Sequence, residues 1–249
     1  MQANEYQKLA AVEDRMWYFR TLHAHAEREL AAVLGAGPAE ALDAGCGTGG
    51  FIRRMASLHP AWRWTGVDAS PLACGLARAR TDADIREARV ETLPFAAEHF
   101  DAVVSLDVLY HLDDDPAALR EAFRVLRPGG VLAVNVPAHP WLWSYHDVAV
   151  DARRRYTRAG VLALLAGAGF GRLSATHWNA LPLPLVVIRR KFLRPPAGGS
   201  DVRLYPRPVE ALFGAMMAAE RIWLRLGLRL PFGSSIFAVA FKPGDGRRI

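Results

Sequence analysis

A glycine-rich segment, LDAGCGTGG at residues 42–50, carries the clearest chemical signal in this sequence. An apolar run leads into Asp43, and Gly45, Gly47 and Gly50 then follow with the spacing G-x-G-x-x-G. Glycines let a backbone turn sharply and come close to a ligand, and amides at the start of the next helix face that ligand. The segment therefore predicts a cofactor-binding loop, although its spacing alone does not distinguish one adenosine-containing cofactor from another.

An acidic residue follows this loop at the distance that such a cofactor requires. Asp68 ends the next apolar run, 21 residues after Gly47. A carboxylate at that place can accept hydrogen bonds from both hydroxyls of a ribose. The alternative is an aspartate in a turn that caps the helix beginning near Ser70. The context of the glycine loop favours the ribose contact.

Three histidines are candidates for acid–base chemistry. His111 follows the predicted fourth strand of a parallel sheet, whereas His139 and His146 flank the segment after the fifth. Open α/β sheets place their sites at the carboxyl ends of strands, and histidine is the natural proton acceptor near neutral pH. For each of the three, a structural or loop histidine is the alternative. His111 has the best position for catalysis.

Aromatic residues accompany these histidines and are candidates for contact with a substrate. Tyr110 precedes His111, and Trp141, Trp143 and Tyr145 share one loop. Such rings can form the wall of a pocket for an apolar or aromatic acceptor, but aromatic residues after a strand are as often part of the buried core.

Alternating apolar runs and chain-breaking residues indicate the elements that must position these groups. Helical stretches separate several of the runs, which is typical of a parallel sheet in a doubly wound, Rossmann-like α/β fold. A helical stretch from Glu5 to Leu34 precedes them. The seven strands of this mostly parallel sheet are predicted at Ala41–Ala44, Trp62–Val67, Asp84–Val90, Phe100–Leu106, Val131–Val136, Arg172–Trp178 and Ile236–Phe241.

These elements predict a single domain with two additions to its core. Residues 1–37 are expected to form an N-terminal helical lid, residues 38–178 the core, 179–233 a basic and apolar insertion, and 234–249 the last strand and tail. The lid and the insertion together are expected to cover the acceptor pocket.

Composition and charge limit the classes of function. The 249 residues are 51% hydrophobic and 22% charged, as in an ordinary globular protein. The chain has neither a signal-peptide pattern nor an apolar stretch long enough to span a membrane, so a cytoplasmic protein is expected. Cys46 and Cys74 are its two cysteines, and they suggest neither a disulfide framework nor a metal site. We therefore expect no metal.

The net charge of +6 belongs to one segment, because residues 180–232 contain nine Lys or Arg and three Asp or Glu. Within this segment, an apolar run ends in Arg189-Arg190-Lys191, and a helix is predicted from Pro208 to Leu230. That helix has an apolar face with Leu212, Met216, Ala219 and Trp223, and a basic face with Arg221, Arg225 and Arg229. A basic amphipathic helix can lie on an anionic membrane, so peripheral membrane contact through residues 180–230 is one interpretation. Packing on its own domain with solvated arginines is the other.

Four blocks of sequence together resemble the seven-stranded, Rossmann-like class I methyltransferases that depend on S-adenosylmethionine. They are LDAGCGTGG at 42–50, GVDAS at 66–70, VETLPFAAEHFDAVVSLDVLYHL at 90–112 and EAFRVLRPGG at 121–130. Later segments resemble a bacterial branch that acts on small molecules or lipid-linked precursors, namely NVPAHPWLWSYHD at 135–147, RRYTR at 154–158 and GAGF at 167–170, with MWYFR at 16–20. The resemblance extends over nearly the whole chain.

The resemblance implies S-adenosylmethionine as the cofactor and suggests a role for several residues. Asp43 is expected to meet the methionine ammonium, Gly45 and Gly47 to pass beneath the cofactor, and Asp68 to hold the ribose. The cofactor carboxylate is expected to bind a basic residue, and Arg20 is the candidate. Relatives often have an acidic residue where this chain has Arg89. The remaining cofactor neighbours implied are Ala44, Ala69, the Val90 backbone and the Leu106 side chain.

Three classes of function follow from these patterns. The favoured one is transfer of a methyl group, by in-line displacement, to a small and fairly apolar or lipid-linked acceptor. A nucleic-acid (RNA) methyltransferase is less favoured, because the core is neutral and Ser105-Leu106-Asp107-Val108 lacks the Asn/Asp-Pro-Pro-aromatic motif. A nicotinamide-dependent oxidoreductase or a non-methylating S-adenosylmethionine-binding protein is the third, since the glycine spacing allows it.

Overall fold

The computed structural model describes residues 3–195, 199–228 and 230–244. Regular elements occupy most of these ranges and alternate between helix and strand. In chain order they are α1 (Ala3–Val12), α2 (Trp17–Leu34), β1 (Ala39–Ala44), α3 (Gly50–Leu58), β2 (Trp62–Asp68), α4 (Pro71–Arg78), β3 (Asp84–Glu87), β4 (Phe100–Leu106), α5 (Asp115–Val125), β5 (Leu126–Pro137), α6 (Tyr145–Ala149), α7 (Arg158–Gly167), β6 (Gly171–Trp178), α8 (Leu183–Lys191), α9 (Arg207–Arg225) and β7 (Ser235–Phe241).

The strands form one seven-stranded sheet in the order β3-β2-β1-β4-β5-β7-β6. The five strands β1 to β5 are parallel, and β7 runs antiparallel between β5 and β6. The predicted mostly parallel, doubly wound fold is therefore confirmed, with one antiparallel strand inserted near an edge.

Alternation of side chains along the strands builds a core on each face of the sheet. In β5, Val131 and Ala133 join one buried cluster with α2 and α3, while Leu132, Val134 and Val136 join the other with α5 and α7. A period of two residues is what a strand covered on both faces requires.

The sheet creates a crevice where its strand order reverses, between β1 and β4. Connections from these neighbouring strands leave toward opposite faces, which keeps the carboxyl edge open at that point. The glycine loop follows β1, and residues 107–112 follow β4. The fold therefore brings together segments that are far apart in the sequence.

The N-terminal extension consists of two helices and not the one continuous helix predicted from Glu5 to Leu34. The break lies at Glu13–Met16, where Met16 is extended. Glu13 is buried and accepts hydrogen bonds from Thr48 of the glycine loop and from Arg80. These bonds hold the end of α1 against the core, and the chain turns there before α2 begins.

The insertion contains α8 and α9, and the predicted apolar face of α9 packs only in part, through Met216. Met217 and Glu220 are its buried residues, whereas Leu212 and Trp223 are about half exposed. Glu220 accepts hydrogen bonds from the backbone amides of residues 179–181, which fixes this part of α9 to the chain before α8. Arg229 of the predicted basic face lies outside the described residues. No described helix is both long and apolar enough to cross a bilayer.

The core of the sheet predicts a clear difference between two phenylalanines. Phe100 in β4 is fully buried, so Phe100→Ala should lower the free energy of unfolding by about 3 to 5 kcal/mol. Phe192, just after α8, is 78% exposed, and Phe192→Ala should change it by less than about 0.5 kcal/mol. Urea denaturation followed by tryptophan fluorescence measures both, and similar losses in the two variants would contradict this packing.

Candidate functional site

A cavity of about 620 Å³ occupies the crevice at the carboxyl edge of the sheet. Its walls come from the loops after β1, β2, β4 and β5, from α1 and α2, and from the insertion. Trp17 of the lid stacks on Phe213 of α9, with ring centroids 4.8 Å apart. The lid and the insertion therefore contact each other in the wall of the cavity.

The glycine loop forms the floor at one end of the cavity. Gly45 has a φ of 95°, and a Cβ atom there would lie 2.3 Å from Cγ2 of Val108. A side chain at this position is excluded both by the backbone conformation and by the neighbouring strand end. The amides of Gly45 and Cys46 donate to the carbonyl of Val67, at 2.8 Å each, which fixes the loop on β2.

Two carboxyl groups flank this loop. Asp43 is the penultimate residue of β1, is 2% exposed, and lines the cavity. Burial raises its pKa to about 8, and the nearby charges of Asp68 and Glu13 contribute. Asp68, at the end of β2, accepts from the amides of Gly47 at 3.0 Å and Ser70 at 2.9 Å, and burial raises its pKa as well. A cation brought between these acids would relieve the cost of their burial.

The lid adds a hydroxyl to one of these acids. Tyr6 of α1 donates to Asp68 at 3.3 Å, and Leu9 lines the cavity one turn later. Val90, Ala69 and Leu106 complete the apolar lining at this end. The cavity here thus combines an apolar slot with acids at its edge, which suits an adenosine with a cationic substituent.

A polar cluster lies at the opposite end, where β4 and β5 finish. Asp107 has a φ of 58° and accepts hydrogen bonds from Tyr18 at 2.9 Å and from the Asn135 amide nitrogen at 2.7 Å. The indole of Trp178 donates to the other atom of that amide, its oxygen, at 2.8 Å. An indole only donates, so the orientation of Asn135 is fixed with its nitrogen toward Asp107.

Asp107 combines access to the cavity with a perturbed ionisation. Burial raises its pKa to about 6, although Tyr18 and Asn135 favour its ionised form. An acid with this pKa is mostly ionised at pH 7, yet remains a usable base. Asp107 was not among the predicted site residues. It directly follows Leu106, a predicted site residue at the end of a predicted strand, so the same signal could have indicated Asp107.

The three predicted histidines have different surroundings. His111 lines the cavity, and its Nδ1 lies 3.2 Å from the carbonyl oxygen of Asp151. Because a carbonyl only accepts, Nδ1 carries the proton and Nε2 is the basic nitrogen. His146 also lines the cavity, but its Nδ1 accepts from the amide of Asp201 at 3.1 Å, so its basic nitrogen is already engaged. Burial lowers the pKa of both, to about 4 and about 3.

Other predicted residues lie away from the cavity. The third histidine, His139, stacks on His177 with centroids 5.1 Å apart and does not line it. Trp141 and Trp143 are exposed, and Tyr145 donates to Asp201 at 2.8 Å, so these three rings do not form its wall. Of the predicted aromatic residues, Tyr110 does line it.

Two predicted cofactor residues also lie outside the cavity. Arg20 is exposed and borders a second cleft with Asp14 and Arg53, so its contact with the cofactor carboxylate stays a prediction. Ala44 is buried within β1 and does not reach the cavity. Glu91, in contrast, lines it and pairs with Arg89 at 2.6 Å.

The cavity is also lined by residues that were not among the predicted site residues. Arg155 is buried and pairs through two nitrogens with Asp147, at 2.7 and 3.1 Å. The insertion contributes Leu185, Val186 and Arg189 to the wall. Within the described ranges, no group of three or more His, Cys, Asp or Glu is arranged to hold a metal ion.

Comparison with known proteins gives a consistent family. Residues 42–134 match the family model described as "Methyltransferase domain". Trans-aconitate 2-methyltransferase of Deinococcus radiodurans is 30% identical over 165 residues, which cover 66% of this chain and 60% of that protein. Malonyl-[acyl-carrier protein] O-methyltransferase of Enterobacter lignolyticus is 35% identical over 141 residues, covering 52% of this chain and 53% of that protein.

A solved structure supports the same fold. Phosphoethanolamine N-methyltransferase 2 of Haemonchus contortus, in complex with S-adenosyl-L-methionine, superposes with a TM-score of 0.58 at 18% identity, over 87% of this chain and 52% of that one. This chain spans between 38% and 60% of the length of the first three curated relatives that it matches.

The polar cluster predicts a measurable effect of the lid on Asp107. Tyr18→Phe removes a hydrogen bond to the ionised carboxylate, so the pKa of Asp107 should rise from about 6 by about one pH unit. Titration of the aspartate carboxyl carbon by NMR measures it. Tyr6→Phe is the matched control, because Tyr6 bonds to Asp68 and should leave Asp107 unchanged. Equal pKa values of Asp107 in Tyr18→Phe and the unmodified protein would show that this bond does not stabilise the carboxylate.

Proposed function

We propose that the protein is an S-adenosylmethionine-dependent methyltransferase, because residues 42–134 match the family model described as "Methyltransferase domain". Its acceptor is a small, fairly apolar or lipid-linked molecule. The observation that carries the proposal is the cavity in which Asp43, Asp68 and the glycine loop face an apolar slot, with a separate polar cluster at its other end.

The residues at the loop end suit the cofactor. Asp43 would hold the methionine ammonium, because a buried acid with a raised pKa gains most from a neighbouring cation. Asp68 would accept from the ribose hydroxyls, and the Gly45 turn leaves room that a Cβ atom would fill. Val90 and Leu106 would contact the adenine. When bound, S-adenosylmethionine supplies an electrophilic methyl group on a sulfonium.

The chain contributes mainly orientation and exclusion of water to such a transfer. The Trp17–Phe213 stack closes the cavity, and the Tyr18–Asp107–Asn135 cluster sets the polar wall of the acceptor end. Holding two reactants in line can supply up to about 7 to 11 kcal/mol of the barrier. The fixed hydrogen bonds of Asn135 maintain this geometry before the acceptor binds.

We assign the proton-accepting role to Asp107 and keep His111 as the competing assignment. A base is needed when the acceptor arrives protonated, as a hydroxyl does. Asp107 follows the last residue of β4 and lines the cavity, and its carboxylate is held by two donors. His111 offers a free Nε2 but is a weaker base, since its pKa is about 4. His146 is disfavoured because its basic nitrogen is occupied, and His139 because it lies outside the cavity.

The acceptor end supports an amphiphilic acceptor. Leu185, Val186, Val202 and Phe213 provide apolar contacts, and Arg189 lies on the same wall. An acceptor with an apolar body and an anionic group would use both features. A free small molecule or a lipid-linked one fits this description equally.

Isothermal titration calorimetry tests the cofactor assignment. We expect the protein to bind S-adenosylmethionine and S-adenosylhomocysteine but not NAD, and Asp68→Asn to weaken binding by at least about tenfold, because it removes charge-assisted hydrogen bonds of about 1.5 to 3 kcal/mol each. Asp84→Asn is the matched control, since Asp84 is exposed at the start of β3. Binding of NAD alone would contradict the proposed function, and unchanged affinity in Asp68→Asn would contradict the ribose contact.

The pH dependence of transfer distinguishes the two candidate bases. If Asp107 accepts the proton, kcat/KM should rise with pH through about 6, because the carboxyl group is protonated and inactive below that value. Asp107→Asn should then lower the rate by about 10² to 10⁴. A rise near pH 4 that disappears in His111→Gln would assign the proton to His111 instead. The measurement uses the best acceptor from a screen of hydroxylated and carboxylated amphiphiles, with His139→Gln as control.

A further inference from the structure

The helices of the insertion are rich in apolar residues, but few of these side chains are buried. Six of the nine residues of α8 are Leu, Pro, Val or Ile, yet none of its side chains is buried, and α9 has two buried residues among nineteen. The exposed large apolar side chains of this segment are Leu181, Leu185, Ile188, Phe192, Leu193, Leu212, Ile222, Trp223, Leu226, Leu228 and Phe232. Phe192 and Leu226 are 78% and 71% exposed. Exposed apolar residues concentrated in one segment indicate a surface that another phase or molecule covers.

The acidic residues of this segment all form hydrogen bonds or ion pairs within the protein. Asp201 pairs with Arg190 at 2.9 Å and accepts from Tyr145, and Glu210 accepts from the amides of Trp17 and Tyr205. Glu220 accepts from the amides before α8. Each of the three carboxylates is therefore occupied by the fold.

In the described part of this segment, most cations form no ion pair, whereas Arg190 pairs with Asp201. Among the residues that the structure describes, no ion pair is formed by Arg189, Lys191, Arg194, Arg203, Arg207, Arg221 or Arg225. The exposed surface of α8 and α9 thus combines apolar side chains with uncompensated positive charge, which complements an anionic phase that has an apolar interior.

This surface is continuous with the cavity. Leu185 is 43% exposed and also lines the cavity, together with Val186 and Arg189 of the same helix. Glu220 of α9 accepts from the amides of Ala180 and Leu181, so the chain just before α8 is fixed to α9. The acceptor end therefore opens beside the apolar and basic side chains of α8.

We propose that α8 and α9 dock the protein on an anionic membrane surface, and that its acceptor is an amphiphile that enters the cavity from the bilayer past Leu185. The second part rests on the proposed methyltransferase activity, whereas the docking does not. The apolar residues insert at the boundary between headgroups and acyl chains, and the arginines contact lipid phosphates.

Two other occupants fit the surface less well. A second copy of this chain related by a twofold axis would bring the same cations together, and like charges at an interface disfavour binding. A nucleic acid would satisfy the arginines but would leave Ile188, Ile222 and Leu226 in water, since phosphate contacts need no aliphatic surface.

Flotation with vesicles tests the docking on the full chain. Phosphatidylcholine vesicles with and without phosphatidylglycerol are compared at low and high salt, because salt screens exposed charges. Arg221→Gln with Arg225→Gln reduces the charge of α9, and Ile188→Ser with Phe192→Ser reduces the apolar surface of α8. Leu58→Ser is the matched control, since Leu58 is 50% exposed at the end of α3, on the opposite edge of the sheet. Thermal unfolding confirms that each variant is folded.

We expect binding to the anionic vesicles only, weakened by salt, with affinity lower by about fivefold for each arginine removed. The apolar variant should also bind more weakly, and Leu58→Ser should bind like the unmodified protein. No preference for anionic vesicles, or equal binding by all variants, would overturn the proposal. Two results would overturn it in favour of another occupant. One is a dimer that the double variant Ile188→Ser with Phe192→Ser abolishes, and the other is a mobility shift with RNA in the absence of vesicle binding. Cofactor binding by calorimetry is independent of all these results, so a failure of docking leaves the proposed activity standing.

Discussion

Among the acidic residues that line the cavity, four have carboxyl groups whose burial is unfavourable, and the rest of the site is organised around the cost of placing them there. Burial raises the pKa of Asp43, Asp68, Glu13 and Asp107. Arg80 compensates Glu13, backbone amides compensate Asp68, and a hydroxyl with an amide compensates Asp107. The pKa of Asp43 rises to about 8, against about 6 for Asp107. A cationic ligand beside Asp43 therefore stabilises both itself and the protein.

The lid supplies what the sheet alone does not. Its two helices each bring one tyrosine to one acid: Tyr6 reaches Asp68 at the loop end, and Tyr18 reaches Asp107 at the other. The sheet fixes the positions of the acids through its register, since Asp43 pairs with Gly66 and Leu106 with Asn135. The hydroxyls of the lid then adjust their ionisation. The acids and the hydroxyls that bond to them thus come from two parts of the chain that fold on different principles, long-range strand pairing and local helix packing.

Sequence patterns predicted the sheet and the loop end of the cavity well, because these features depend on local periodicity and on glycine conformations. The strand Phe100–Leu106 has the predicted bounds, and Gly45 has the positive φ that the loop requires. The break between α1 and α2 was missed, since it results from Glu13 binding Thr48, a contact between distant segments. The aromatic loop was misplaced for the same reason: whether Trp141 faces a cavity or solvent depends on how the insertion packs, and periodicity does not encode that packing.

The contact between the lid and the insertion joins parts of the chain that border both ends of the cavity. The backbone amide of Trp17 donates a hydrogen bond to Glu210, and the Trp17 ring stacks on Phe213. The Ser200 hydroxyl donates a hydrogen bond to Glu5. The same helices border Asp68 and Asp107. Under the proposed function, breaking these few contacts would uncover both ends together, and one opening would serve exchange of the spent cofactor and departure of the product. The lifetime of these contacts would then set a lower limit on the duration of each catalytic cycle.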